Sequence, residues 1–212
     1  HPGWAGQTVM AYAFLKALGL DGNIGTLTVD LKSGKMTSAK GHHVVSSKDG
    51  EYEIKSSRYP FCGCLPAGSG KATYPACETD KLVSDGSIRS AMTLVPFDRE
   101  LNRFTLVVKN LTGSKCRVTW GAESKSYTKE QLATGINLAE EFTINPFSEA
   151  FAKVDSAVAA KQAYETRQIK MIFHGAEGKA DMEAAVEKTE KERTPLVEAI
   201  HAAFVPVMHK IR

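Results

Sequence analysis

The first twenty residues restrict the fold more than any other part of the sequence. In "HPGWAGQTVMAYAFLKALGL" the residues Val9, Ala13, Phe14, Ala17 and Leu18 recur at helical spacing, and Gly19 stands where a helix from about Ala5 to Leu18 would stop. A helix this apolar does not stand alone in water, because its apolar stripe needs a partner. Either the neighbouring β-rich segment supplies that partner, or a segment outside this sequence does.

The texture changes beyond this helix. After a turn at Asp21-Gly22, "IGTLTVDL" alternates like a strand, Ser33-Gly34 makes a turn, and "HHVVSS" and "GEYEIKS" extend a β-rich stretch. Residues 58–90 form a long irregular excursion, of the kind that is either functional or stapled. Strand-like runs then return in "MTLVPF", "RFTLVVKNL" and "CRVTWG", bounded by turn residues, which predicts an antiparallel sheet. From Thr128, a plausible N-cap, the pattern is helical: "TKEQLATGINLAEEF" reads as one helix. In "NPFSEAFAKVDSAVAAKQAYETRQIKMIF", Phe147, Phe151, Val154, Val158, Ala159 and Gln162 share a face. Past a "HGAEGKAD" loop, "MEAAVEKTEKER" is a solvated helix, Pro195 is placed to open a last helix and Pro206 to kink or end it. The expected fold class is therefore α+β: a helix, an antiparallel β-rich region and a helical C-terminal tail.

Composition narrows the partners. The chain has 212 residues, 42% of them hydrophobic and 24% charged, which is ordinary for a globular protein. A net charge of +3 is spread thinly, with no basic run or basic-aromatic stripe, so no nucleic-acid partner is expected. No membrane span is expected either, since the apolar stretch from Val9 to Leu20 is interrupted by Lys16. A chain that starts on His1, without a methionine or a basic leader, reads as a processed, cloned or truncated end. The four cysteines, Cys62, Cys64, Cys77 and Cys116, fit one or two disulfides in an exported protein, with a bridge from Cys77 or Cys116 into the Cys62-Cys64 loop preferred over zinc. The C-x-C spacing lacks a second pair or a nearby histidine in ligand register, and no metal or cofactor is expected.

A histidine just before a glycine-containing turn into an apolar helix is a suitable place for a general base. His1-Pro2-Gly3, Gly6, Met10-Ala11, Leu15 and Leu18-Gly19 resemble the last conserved block of SGNH or GDSL-type hydrolases. That block reads Asp-x-x-His-Pro, a glycine turn, then a helix. Gln7 departs from it, standing where the family often has a second histidine. "LNRFTLVVKNL", "CRVTWG", "TKEQLATGINLAEE" and "NPF" are similar to a C-terminal extension found in a subset of these enzymes.

The resemblance implies that His1 is the base of a serine esterase or lipase/acylhydrolase-like enzyme. The helix after it would be the last of a flavodoxin-like SGNH α/β domain, and Trp4 is a candidate substrate contact. It implies a division into 1–22, the final block of the hydrolase domain; 23–127, a β-rich accessory region; and 128–212, a helical region. It further implies carboxylic-ester substrates, acylated carbohydrate among them, an upstream hydrolase segment as partner, and a secreted or periplasmic location. A homo-oligomer is compatible with it. This sequence has no Gly-Asp-Ser, and the family's aspartate would precede His1, so the chain by itself is expected to be inactive.

Other readings of the same residues are a non-catalytic accessory module and a copper site. The accessory module would serve oligomerisation or carbohydrate contact, using Tyr52, Tyr59, Phe61 and Tyr74 as exposed aromatics. The copper site would use the amine and imidazole of His1, completed by His42 or His43. Adjacent strand residues face opposite ways, so at most one of that pair can join a site, and solvent exposure is expected for both. His174, His201 and His209 are expected on helix surfaces, and Asn137 is expected to cap or bridge backbone rather than reach substrate.

Overall fold

The computed structural model describes residues 3–64 and 88–210, the side chains of Trp4, Ser90 and residues 204–210 apart. The order is α1 (Trp4–Ala17), β1 (Asn23–Asp30), β2 (Lys35–Ser38), β3 (His42–Lys48), β4 (Glu51–Ser56), α2 (Ile88–Met92), α3 (Phe97–Leu101), β5 (Arg103–Lys109), β6 (Lys115–Trp120) and β7 (Glu123–Thr128). It continues through α4 (Lys129–Thr134), β8 (Ile136–Asn137), α5 (Leu138–Glu141), α6 (Ser148–Arg167), a π-helical turn (Gln168–Phe173), α7 (Ala176–Ala180) and α8 (Met182–Lys210). The fold is α+β.

The central sheet runs β2-β1-β5-β8 and is mixed. β1 pairs antiparallel with β2 but parallel with β5, from Asn23 opposite Arg103 to Asp30 opposite Lys109. This corrects the expected antiparallel region. A parallel pair needs a long crossover, and the segment between β1 and β5 supplies it, taking β3, β4, α2 and α3 along. Alternation does the packing: Leu27 and Val29 of β1, with Phe104, Leu106 and Val108 of β5, are buried on one face. Against that face sit Leu132, Ile136, Leu138, Phe142 and Phe147. Trp120 closes the aromatic cluster, its ring 5.8 Å from Phe104 and 5.9 Å from Phe142.

Four sequence expectations change in the folded chain. "MTLVPF" is no strand: Met92 ends α2, Phe97 begins α3, and turns join them. The single helix expected from Thr128 breaks at Gly135, although Thr128 does cap α4 through a capping box with Gln131. Gly135 has φ +105°, and a Cβ there would come within 2.8 Å of Thr105, so the chain turns into β8 against β5. Pro195 opens nothing, because α8 runs through both it and Pro206 to Lys210. Pro195 and Lys191 are both exposed, so water can take the carbonyl that loses its helix bond. Gln162, placed on the apolar face of α6, is exposed.

α6 and α8 pack as a hairpin, and polar contacts join it beside the buried Ala152, Ile172 and Ala185. Gln168 donates to Thr189 at 2.8 Å, Tyr164 to the Thr189 carbonyl at 3.1 Å, and Arg193 pairs with Glu165 at 2.8 Å. No described helix is long and apolar enough to cross a membrane.

Candidate functional site

His1, the expected base, lies outside the described residues, and Trp4 enters only as the first backbone residue of α1. The helix after them is informative. Its inner side carries Tyr12 and Leu15, packed on a satellite cluster of Met92, Phe97 and Leu101. The Tyr12 hydroxyl donates to Glu100 at 2.7 Å, and Lys16 pairs with the same carboxylate at 2.8 Å. The hydrogen bond from Lys16, then that from Tyr12, holds the Glu100 carboxyl below its ordinary range, while the Tyr12 phenol is raised by its bond to Glu100. The outer side is apolar and open: Met10 is 50% exposed, Phe14 65% and Leu18 74%. Their four-residue spacing makes one stripe. Most of the apolar face that the sequence singled out therefore finds no partner among the described residues.

Beside α1, the elbow between α2 and α3 forms a cleft of about 450 Å³. Met92, Leu94, Val95 and Phe97 give it apolar walls, and Arg89, Asp98, Arg99 and Glu140 give it charge. Volume and mixed lining match a small-molecule pocket. Asn102, behind the cleft, holds the lining residue Asp98. Fully buried, it accepts from the Phe61 amide at 2.8 Å, donates to the Phe61 carbonyl at 3.0 Å, and donates to Asp98 Oδ1 at 2.9 Å. Burial raises the Asp98 pKa; the Asn102 hydrogen bond opposes this, the Glu140 charge adds to it, and the Arg89 charge lowers it. Arg89 and Asp98 form no direct ion pair among the described residues, and the Arg89 Nη1 is buried without a hydrogen-bond partner.

Behind this elbow lies a chamber of about 10 Å³, which shares Arg89, Met92 and Asp98 with the cleft and adds Cys62 and Asn145. Cys62 is a free thiol, lying 3.6 Å from Asn145 Oδ1, and burial pushes its pKa up to about 11. A thiol held protonated in this way is a packing group, not a nucleophile. Cys64 is in a disulfide whose partner lies outside the described residues, and Cys116 is free, so Cys116 does not staple the loop.

The other candidates resolve into scaffold. His42 is buried, contrary to expectation, while His43 is exposed on the opposite side of β3. The His42 ring stacks on Phe104 at 5.0 Å, with Nε2 donating to the Ile24 carbonyl at 2.9 Å and Nδ1 facing the Ser56 hydroxyl at 2.8 Å. A Cβ on Gly25 would lie 2.3 Å from that ring, so the glycine makes room for it. Both nitrogens are engaged, which removes His42 as a copper ligand. Asn137 bridges backbone as expected, accepting from the amides of Phe104 at 3.0 Å and Ala139 at 3.3 Å and donating to the Asp98 carbonyl at 3.0 Å. Tyr59 and Phe61 are not exposed aromatics: both pack edge-on against Phe151. Tyr52 leans on the main core, and Tyr74 lies outside the described residues. His174 and His201 are exposed, and the side chain of His209 is outside the described set.

Arg89 and Asp98 were missed by sequence reasoning, because reading "MTLVPF" as a strand hid the elbow. The usable signal was Pro96 followed by Asp98 and Glu100, a helix start with acidic residues in the first turn.

No protein-family model and no curated protein sequence matches this chain. Among solved structures, its fold is similar to that of a gut microbial diltiazem-metabolizing enzyme, at a TM-score of 0.63 and 21% identity. The match covers 99% of this chain and 48% of that one, so the chain spans about half the length of the enzyme whose fold it shares.

Proposed function

We propose that this chain is the C-terminal part of an SGNH-type serine esterase, in which His1 is the general base and Trp4 a substrate contact. The observation that carries the reading is the open stripe of Met10, Phe14 and Leu18 on α1. The stripe comes directly after the His-Pro-Gly block, and an apolar helix face of this kind is what the sheet of an α/β domain covers. The fold likeness to an enzyme about twice as long supports the same reading.

In that reaction an upstream serine attacks the ester carbonyl, His1 takes its proton, and the alcohol leaves as the acyl-enzyme forms. Water then releases the acid. The role of this chain is to hold His1 at the head of a helix that α3 fixes through Glu100. The substrate class is carboxylic esters, acylated carbohydrates included, handled by a secreted or periplasmic enzyme.

The test has two arms. The 212-residue chain, given a fluorophosphonate probe and p-nitrophenyl acetate, is expected to show neither labelling nor hydrolysis. The gene product that includes upstream sequence is expected to label on a Gly-Asp-Ser serine and to lose ester hydrolysis on His1→Ala. Labelling of the short chain, or full activity of the histidine variant, would overturn the proposal. If the α1 stripe instead seats a second copy, light scattering shows a dimer that Phe14→Ser dissolves, and the accessory reading takes precedence.

A further inference from the structure

We propose that the groove between β2 and the β3–β4 hairpin binds an oxyanion, free or carried on a small organic molecule, with Lys40 and Arg58 as its charged partners. The assignment stands on this groove alone and is independent of ester chemistry at the N-terminal block.

Charge is the first observation. The groove encloses about 970 Å³, and the ionisable side chains on its walls are Lys40, His42, His43 and Arg58, with no carboxylate among them. His42 is already tied to Ile24 and Ser56, but Lys40 and Arg58 are exposed and make no ion pair or side-chain hydrogen bond among the described residues. Strand register adds a further cation, because Lys55 stands opposite His43. The carboxylates of the hairpin, Glu53 and Glu51, pair farther along, opposite Ser46 and Lys48, and do not line the groove. Cations gathered without a counter-charge raise the local potential and draw an anion.

Backbone geometry is the second. Lys40 and Gly41 form the middle of a turn closed by the His42 amide on the Ala39 carbonyl at 3.1 Å, and their own amides make no hydrogen bond among the described residues. Successive turn amides of this kind are anion donors. Gly41 has φ +94°, and a Cβ there would come within 3.0 Å of Arg58 Cδ, so the Arg58 stem lies on the glycine, beside these amides. The Ser57 amide, bonded to the Gly41 carbonyl at 2.8 Å, holds the two segments together. Guanidinium, ammonium and amide groups all donate, so the group that meets them must accept at several atoms and carry negative charge, as an oxyanion does. The volume is far more than one such ion fills, which leaves space for an organic body attached to it.

The experiment is a 1H–15N titration of the full 212-residue chain with sodium sulfate, glucose 6-sulfate and glucose, at ionic strength held constant with sodium chloride so that screening alone produces no shift. Saturable shifts are expected at the amides of residues 40–43 and 57–58 with both sulfated probes and not with glucose. Tighter binding of glucose 6-sulfate identifies an oxyanion carried on an organic molecule, and equal affinity identifies the free ion; either supports the site. Arg58→Gln and Lys40→Gln are each expected to weaken binding about 10-fold, the effect of one charged hydrogen bond, with the urea midpoint unchanged because both side chains are exposed. Lys48→Gln, at the far end of the same hairpin, is expected to leave binding as it was. An equal response to glucose, shifts that map elsewhere, or no saturable shift would overturn the proposal. So would a Lys48→Gln loss as large as that of Arg58→Gln, which would mean that only the general field of the surface is felt.

Discussion

Two regions of this molecule treat polar atoms in opposite ways. Around Phe104, polar groups taken out of water have partners: His42 is bonded at both nitrogens, Asn137 makes three contacts, and Asn145 holds the turn into α6 with bonds to Phe142 and Phe147. Around Arg89 the accounting does not close. A guanidinium nitrogen is orphaned and Asp98 is pushed toward its neutral form by burial, while on the outer side of the helix that packs on this elbow an apolar stripe lies open. A region whose hydrogen bonds and apolar surface are both satisfied is scaffold. A region where both are left incomplete is where ligands and partner surfaces belong.

That contrast is open to attack, first where it predicts the largest loss. Phe104→Ala removes the ring on which His42, Trp120 and Phe147 pack, and is expected to cost about 3–5 kcal/mol, read as a fall in the urea midpoint at unchanged m-value. A cost under about 1 kcal/mol would mean that the aromatic cluster is not the centre of the fold. Asn137→Ala comes next. It leaves the Phe104 amide and the Asp98 carbonyl without partners, for a loss of about 2 kcal/mol, and because Asp98 carries the elbow, the cleft amides should shift in the same spectrum.

The Asp98 carboxyl gives a smaller, pH-dependent effect. Its folded pKa is raised, so between its ordinary value and the raised one the folded chain binds more protons than the unfolded chain. Its contribution to stability therefore declines as pH rises through that window. Asp98→Asn, which still offers an oxygen to Asn102, is expected to abolish this decline; urea midpoints at acid and neutral pH check it, and an unchanged pH slope would show that Asp98 titrates as it does unfolded. The smallest effect belongs to the open stripe. Phe14→Ser is expected to change the stability of this chain by no more than about 0.5 kcal/mol, and a large loss would mean that the face is covered after all.

Much of this was legible from residue order. Alternation marked β1 and β5 and their buried face, Thr128 with Gln131 marked the start of α4, and the "GINLA" asparagine read as a backbone bridge. What failed did so for identifiable reasons. "MTLVPF" has the composition of a strand, yet Met92, Val95 and Phe97 are apolar because an elbow packs on α1, and local composition does not distinguish the two. His42 and His43 are adjacent and chemically identical, and only the position of Phe104 decides that one is buried and the other wet.

The sequence by itself determined the class of fold, most helix and strand positions, and the His-Pro-Gly block with its apolar helix, because these depend on periodicities within a few residues. Tertiary structure alone decided that β1 and β5 run parallel and that Met10 and Phe14 of α1 face outward while Tyr12 and Leu15 face in. It also decided that Glu140, distant in the chain, lines one cleft with Arg89 and Asp98. Those outcomes depend on which surfaces meet across long loops. Burial, orphaned bonds and shifted protonation are properties of such meetings, and no stretch of sequence contains them.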